Sequence, residues 1–201
     1  MAGKLFTSTA HYFEILNYFM AFTFTKTDIP DVLVVKSQVF KDERGHFFEV
    51  FKRPEFTGQN LPEFVQDNFS HSAKGVLRGM HYQLAPFAQG KLVACLSGSI
   101  FDVAVDIRKF SPMFGKWVGV ELREDLANML YIPPGFAHGF QALTPDTRVL
   151  YKCTAEYNPA AERGIFWDDP AINISWPLKS AVMNERDKNF PLLKDADLPT
   201  S

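Results

Sequence analysis

Only two cysteines occur in the 201 residues, Cys95 and Cys153, and each lies among apolar neighbours, in LVACL and LYKCT. That excludes a disulfide scaffold and suits reduced, buried thiols, so a cytoplasmic location is expected. Long apolar runs are also missing. No stretch approaches the roughly 20 apolar residues of a membrane span, and no signal peptide or anchor is read. Charge of one sign is lacking too: 21 Lys and Arg stand against 23 Asp and Glu, a formal net charge of -2. Without a basic field or patch, neither nucleic acid nor an anionic membrane is expected as a partner, and an anionic ligand must be met by a few placed cations. Helical periodicity is scarce, and no internal repeat, low-complexity tract or linker divides the chain.

What is present is a period of two. In IFDVAVDIR, Phe101, Val103, Val105 and Ile107 fall on one face, and Asp102, Ala104, Asp106 and Arg108 on the other. The pattern predicts a half-buried strand, although periodicity does not choose whether the aspartates line an interior or face outward. Similar runs occur at DVLVVKSQVF, HFFEVFK, EFVQDNFS, GVLRGMHYQ, KLVACL, KWVGVEL, NMLYIP, HGFQAL and RVLYKCT, with Gly, Pro, Asn, Asp or Ser clusters between many of them. Many short, punctuated strands predict an all-β sandwich, barrel or jelly roll. REDLANML has room for one helical turn, and the tail after Trp176 for a short helix. A single domain is predicted over residues 20–201, preceded by an extension, residues 1–19, that is expected to be dispensable.

The polar chemistry is concentrated in a few places. RGMHYQ, residues 78–83, puts an arginine and a histidine three apart in a strand, on opposite faces unless a bulge at Gly79 re-aims one of them. AQGKLV places Lys91 at a strand start, where a solvated lysine is the ordinary outcome and one in a barrel mouth would face a developing negative charge. PPGFAHGF carries a Pro-Gly turn before His138 and resembles the second half of the cupin signature, P-x-G-x-x-H. The first half of that signature needs an H-x-H pair and a glutamate, and around His81 there is one histidine only. No metal is therefore expected, since catalytic metal sites usually have three protein ligands.

The blocks FKDERGHFFEVF, FVQDNFSHSAKGVLRGMHYQ, AQGKLV, GSIFDVAVDIRKFSPMFGKWVGVEL, YIPPGFAHGF, LYKCTAEYNP and INISWP resemble, in order, the nucleotide-linked 4-keto-6-deoxysugar epimerases of the dTDP-4-dehydrorhamnose 3,5-epimerase family. The resemblance runs from about Met20 to the tail. It implies a cupin-like double-stranded β-helix, or jelly roll, with short peripheral helices, working without a cofactor as a homodimer on a nucleotide sugar in deoxysugar biosynthesis. It further implies that His81 is a general base, that Asp187 of MNERDKNFP partners it, that Tyr151 of VLYKC is the acid on the opposite face of the sugar, and that Lys91 holds the keto oxygen. Arg44, Glu49, Gln66, Asn68, Arg78, His138, Glu162 and Arg186 match positions that bind substrate in the family. Two departures stand out: Phe69 replaces a common histidine, and LVACL lacks an arginine frequent in that strand.

On pattern alone Tyr151 reads as core and Asp187 as a solvated side chain; the resemblance lifts both. Two alternatives stay open at this point: an enzyme on the same scaffold acting on one carbon or as a ketoisomerase, and a non-catalytic cupin-like sugar-binding module. The combination of His81, Asp187 and Tyr151 discriminates them, because a binding module has no use for it.

Overall fold

The structure is a computed structural model and describes residues 21–199. The extension assigned to residues 1–19 lies outside the described residues. Thirteen strands form most of the regular structure: β1 (Phe22–Lys26), β2 (Leu33–Ser37), β3 (Phe40–Asp42), β4 (Gly45–Phe47), β5 (Gln66–Ser72), β6 (Leu77–Gln83), β7 (Lys91–Ser97), β8 (Ser99–Asp106), β9 (Trp117–Arg123), β10 (Asn128–Ile132), β11 (Phe136–Ala142), β12 (Thr147–Cys153) and β13 (Glu162–Gly164). A six-stranded sheet runs β1-β2-β10-β7-β12-β5 and a five-stranded sheet runs β13-β6-β11-β8-β9, with β3 and β4 as a separate hairpin. Every pairing between these strands is antiparallel. This is the all-β, cupin-like jelly roll expected from the sequence.

Strand alternation produces three apolar layers. Between the sheets, Val93, Cys95, Ile100, Ala104, Leu130, Ile132, Phe136, Phe140 and Val149 fill the interior. The odd positions of β8, Val103 and Val105, point the other way and pack with Met80, Tyr82 and Ala137 beneath the C-terminal segment, from Ile165 to Leu198. On the far side of the larger sheet, Leu92, Ala94, Met129 and Tyr131 meet Phe22, Val35 and Phe56. Phe56 belongs to α1 (Arg53–Thr57), a helix that carries Pro54 and Glu55 in its first turn. A second short helix, α2 (Glu185–Lys188), and single 3₁₀ turns at Glu124–Leu126 and Leu193–Asp195 complete the periphery.

Two strand expectations need correction. β8 is buried on both faces, not half-buried: Asp102 and Asp106 have no exposed surface because their face is the interior. HFFEVFK is not one strand; pairing ends at Phe47, and Val50 and Phe51 turn away to pack against the layer around Phe56.

The interior is where period-two order breaks. β11 pairs with β6 through His138 to His81 and Phe140 to Arg78, so three residues of β6 span the interval that two span on β11. This is the bulge anticipated at Gly79, and it turns Arg78 and His81 toward one cavity. Glycine is required there twice over. Its φ is +146°, and a Cβ would lie 2.5 Å from the Gly139 Cα.

Candidate active site

A cavity of about 310 Å³ opens at the Arg78 and His81 bulge, between the sheets. Its walls come from β5, β6, β7, β11 and β12 and from the segments carrying Tyr157, Glu162 and Arg186. The residues assigned from sequence converge here with two exceptions. His81, Tyr151, Asp187, Lys91, Gln66, Asn68, Arg78, His138, Glu162 and Arg186 all line it. Arg44 and Glu49 do not. Arg44 stands in the β3–β4 hairpin with its side chain 85% exposed and its guanidinium on Asp42.

His81 is oriented by a carboxylate. Its Nε2 lies 2.9 Å from Asp187 Oδ1, while Asp187 Oδ2 accepts from the Gly79 backbone N–H at 3.2 Å. Asp187 is fixed in turn because the Asn184 side chain caps α2 and accepts from the Asp187 backbone N–H at 2.7 Å. Its side chain is only 1% exposed. Burial alone would raise this carboxyl, but hydrogen bonding and charge from His81, the Gly79 N–H and Arg186 hold it below the ordinary aspartate value. Asp187 is therefore ionised at neutral pH and acts as the acceptor at His81 Nε2. With Nε2 engaged, Nδ1 is the ring nitrogen left for another partner.

Tyr151 enters from the other sheet. On β12 it pairs with Asn68 of β5 and Val93 of β7, and burial raises its phenol above the ordinary tyrosine value, so it is a neutral O–H donor. Lys91, at the start of β7, is 9% exposed, and burial draws its ammonium below the ordinary lysine value. Its Nζ lies 3.4 Å from His138 Nδ1. Arg78 is steadied by Ser72 Oγ at 3.1 Å and the His71 carbonyl at 3.2 Å. Arg186 reaches Glu162 at 2.7 Å, and Glu162 also accepts from the Tyr157 hydroxyl at 2.8 Å. Three cations thus surround a cavity that also offers carboxamide and hydroxyl groups, a lining suited to a sugar bearing a diphosphate.

Sequence reading missed several lining or supporting residues. Tyr157 and Gln83 line the cavity, and Asp102 holds His138 from behind with Oδ1 2.8 Å from its Nε2. The alternation of IFDVAVDIR set Asp102 on one strand face without marking that face as the interior; Tyr157 and Gln83 carried no signal that distinguishes them from ordinary polar positions. Phe69 is 62% exposed on β5 and contributes to the cavity rim. Among the described residues no group of three or more His, Cys, Asp or Glu is placed to hold a metal ion, and no helix is long and apolar enough to cross a membrane.

A jelly roll whose cavity sets an aspartate-bound histidine and a neutral tyrosine around a buried lysine is built for acid–base chemistry on a carbonyl compound. The family model described as dTDP-4-dehydrorhamnose 3,5-epimerase matches residues 26–195. A dTDP-4-dehydrorhamnose 3,5-epimerase of Shigella flexneri is 53% identical over 175 residues, covering 86% of this chain and 96% of the relative. The crystal structure of a dTDP-6-deoxy-D-glucose-3,5-epimerase from Legionella pneumophila, in complex with dTDP-4-keto-L-rhamnose, superposes with a TM-score of 0.86 at 42% identity, covering 90% of this chain and 98% of that one. A 3'-monoepimerase from Streptomyces bikiniensis, solved with dTDP-quinovose, has a TM-score of 0.83 at 32% identity over 87% of this chain and 92% of its own. The chain belongs to the dTDP-4-dehydrorhamnose 3,5-epimerase family.

Proposed function

We propose that this protein converts dTDP-4-dehydro-6-deoxy-D-glucose to dTDP-4-dehydro-L-rhamnose by inverting carbons 3 and 5, with the cavity residues in the following roles. The observation that carries the assignment is the convergence of the His81–Asp187 pair, Tyr151 and Lys91 on one cavity. The ketone at carbon 4 acidifies the protons on carbons 3 and 5, because losing either gives an enolate whose charge moves onto the oxygen. His81 Nδ1 takes the proton, and Asp187 stabilises the imidazolium that results. Lys91 donates to the enolate oxygen, and Tyr151 returns a proton to the carbon from the opposite face.

Arg78 and Arg186 hold the diphosphate, while Gln66, Asn68 and Glu162 order the rest of the nucleotide sugar. Each step is a proton transfer, so neither metal nor redox cofactor takes part in the proposal. Arg44 and Glu49 act from a second copy in a homodimer. Their absence from the lining of their own chain's cavity supports this, as do the exposed Phe40 and Phe47 on the hairpin that carries Arg44. We place the reaction in the cytoplasm, in keeping with the free, buried Cys95 and Cys153.

The test is incubation of the protein with dTDP-4-keto-6-deoxyglucose in heavy water, read by NMR. Deuterium at both carbons 3 and 5 with inversion at each is the expected result. Inversion at one carbon only would give the activity of a monoepimerase, and an unchanged substrate without exchange would remove the assignment.

A further inference from the structure

Asp102 poses a question that the proton-transfer residues do not answer. It stands on β8 between Ile100 and Ala104 positions of the apolar interior, with no exposed surface. A carboxylate in such a place is costly unless it is partnered. Its hydrogen-bond partner among the described residues is His138, through Nε2 and Oδ1 at 2.8 Å, and Oδ2 is buried without a partner among those residues. Nothing about packing demands a carboxylate there.

The other ring nitrogen of His138 explains the arrangement. Nδ1 faces Lys91 Nζ at 3.4 Å. An ammonium has three N–H donors and no acceptor, so His138 must present a lone pair at Nδ1. The Asp102 carboxylate accepts at Nε2, which requires the proton to be there. The two contacts therefore select the same tautomer, and hydrogen bonds run in one direction from Lys91 to His138 to Asp102. Burial and the neighbouring Lys91 draw His138 below the ordinary histidine value against the opposing pull of Asp102, in agreement with a neutral ring. In this tautomer neither ring nitrogen of His138 is free to donate to a substrate ketone.

We propose that Asp102 is a positioning residue for the epimerisation: by fixing the His138 tautomer it makes the imidazole an acceptor for one Lys91 N–H and aims the remaining ammonium protons at the enolate oxygen. His138 acts on Lys91, and Asp102 acts on His138. The inference rests on the assignment of Lys91 to the enolate oxygen.

Three measurements test it. Two-bond ¹H–¹⁵N NMR of the intact wild-type protein should show His138 with a protonated Nε2 and a bare Nδ1; a proton on Nδ1 of a neutral ring would overturn the proposal. Asp102→Asn, which keeps the shape but can donate toward Nε2, should lower kcat by roughly 10–100-fold with KM within about threefold and the melting temperature little changed. Unchanged kcat in the folded variant would also overturn it. In a His138→Gln background, the same Asp102 replacement should cost less than about twofold, because its route to Lys91 is gone. An undiminished loss in that background would mean that Asp102 acts on packing rather than through His138. If Asp102→Asn does not fold, the tautomer in the wild-type protein decides. Lys91→Met, assayed alongside, separates the two levels: full activity there would remove the oxyanion assignment, whereas a crippled Lys91→Met beside an unimpaired Asp102→Asn would remove only the role given to Asp102.

Discussion

Replacing His81 by asparagine is expected to abolish inversion at carbons 3 and 5 and, in the same preparation, the uptake of solvent deuterium. Both losses have one cause. Without a base no proton leaves, so no enolate forms to be deuterated on either face. A general base contributes roughly 10²–10⁴-fold, and the fall in kcat should lie in that range or beyond it. Folding should be spared because the histidine side chain is partly exposed, while the Asp187 carboxylate keeps the Gly79 N–H and Arg186 as partners. The measurement is NMR of substrate in heavy water with a melting curve as control. Deuterium uptake at the wild-type rate would move the base to another residue.

The second large effect is expected at Lys91. A lysine that is only 9% exposed is retained at a cost, because burial disfavours its charged form. The proposed return is stabilisation of negative charge on the enolate oxygen, where a donor aimed from low-dielectric surroundings is worth more than in water. Lys91→Met preserves length and removes the charge, and should lower kcat by ~10²–10³-fold, equivalent to ~2.7–4 kcal/mol of transition-state stabilisation. KM should change far less, since the charge being stabilised develops after substrate binds. The downward shift of Lys91 also has a sign in pH. The active ammonium is lost as pH rises through a value lower than that of an ordinary lysine, so wild-type activity should decline on the alkaline side earlier than a solvated lysine would allow. A Lys91→Met variant with wild-type kcat would contradict the assignment.

Much of the fold was legible because an antiparallel strand writes its two faces into alternating residues. KLVACL became β7 with Lys91, Val93 and Cys95 inward, and RVLYKCT became β12 with Tyr151 and Cys153 facing the same interior. Burial on both sides was not legible at β8, since an interior lined with carboxylates reads like a solvated face until the second sheet is placed over it. Short elements were lost for a different reason. β13 has only three residues, and its pairing of Glu162 with Gln83 depends on a strand nearly eighty positions away. α1 carries Pro54 and Glu55 in its first turn, but five residues hold too little periodicity to be read as a helix beside the neighbouring aromatic run. The site divides along the same line. His81 stood in unusual polar surroundings, whereas Lys91 at a strand start read as an ordinary solvated lysine. The roles given to Lys91, Asp187 and Tyr151 were legible only through the family resemblance, because a buried aspartate in a charged tail and a tyrosine in an apolar strand have no local mark of function.

In the proposed mechanism two residues on opposite faces of the sugar divide the proton transfers, His81 removing and Tyr151 returning. The most direct test is Tyr151→Phe in heavy water, with exchange and configuration followed separately by NMR. If Tyr151 is the acid, His81 still forms the enolate and can return a deuteron to the face it came from, so deuterium should enter with retained configuration while inversion falls by roughly 10²–10⁴-fold. Inversion at the wild-type rate by the folded Tyr151→Phe variant would contradict the account.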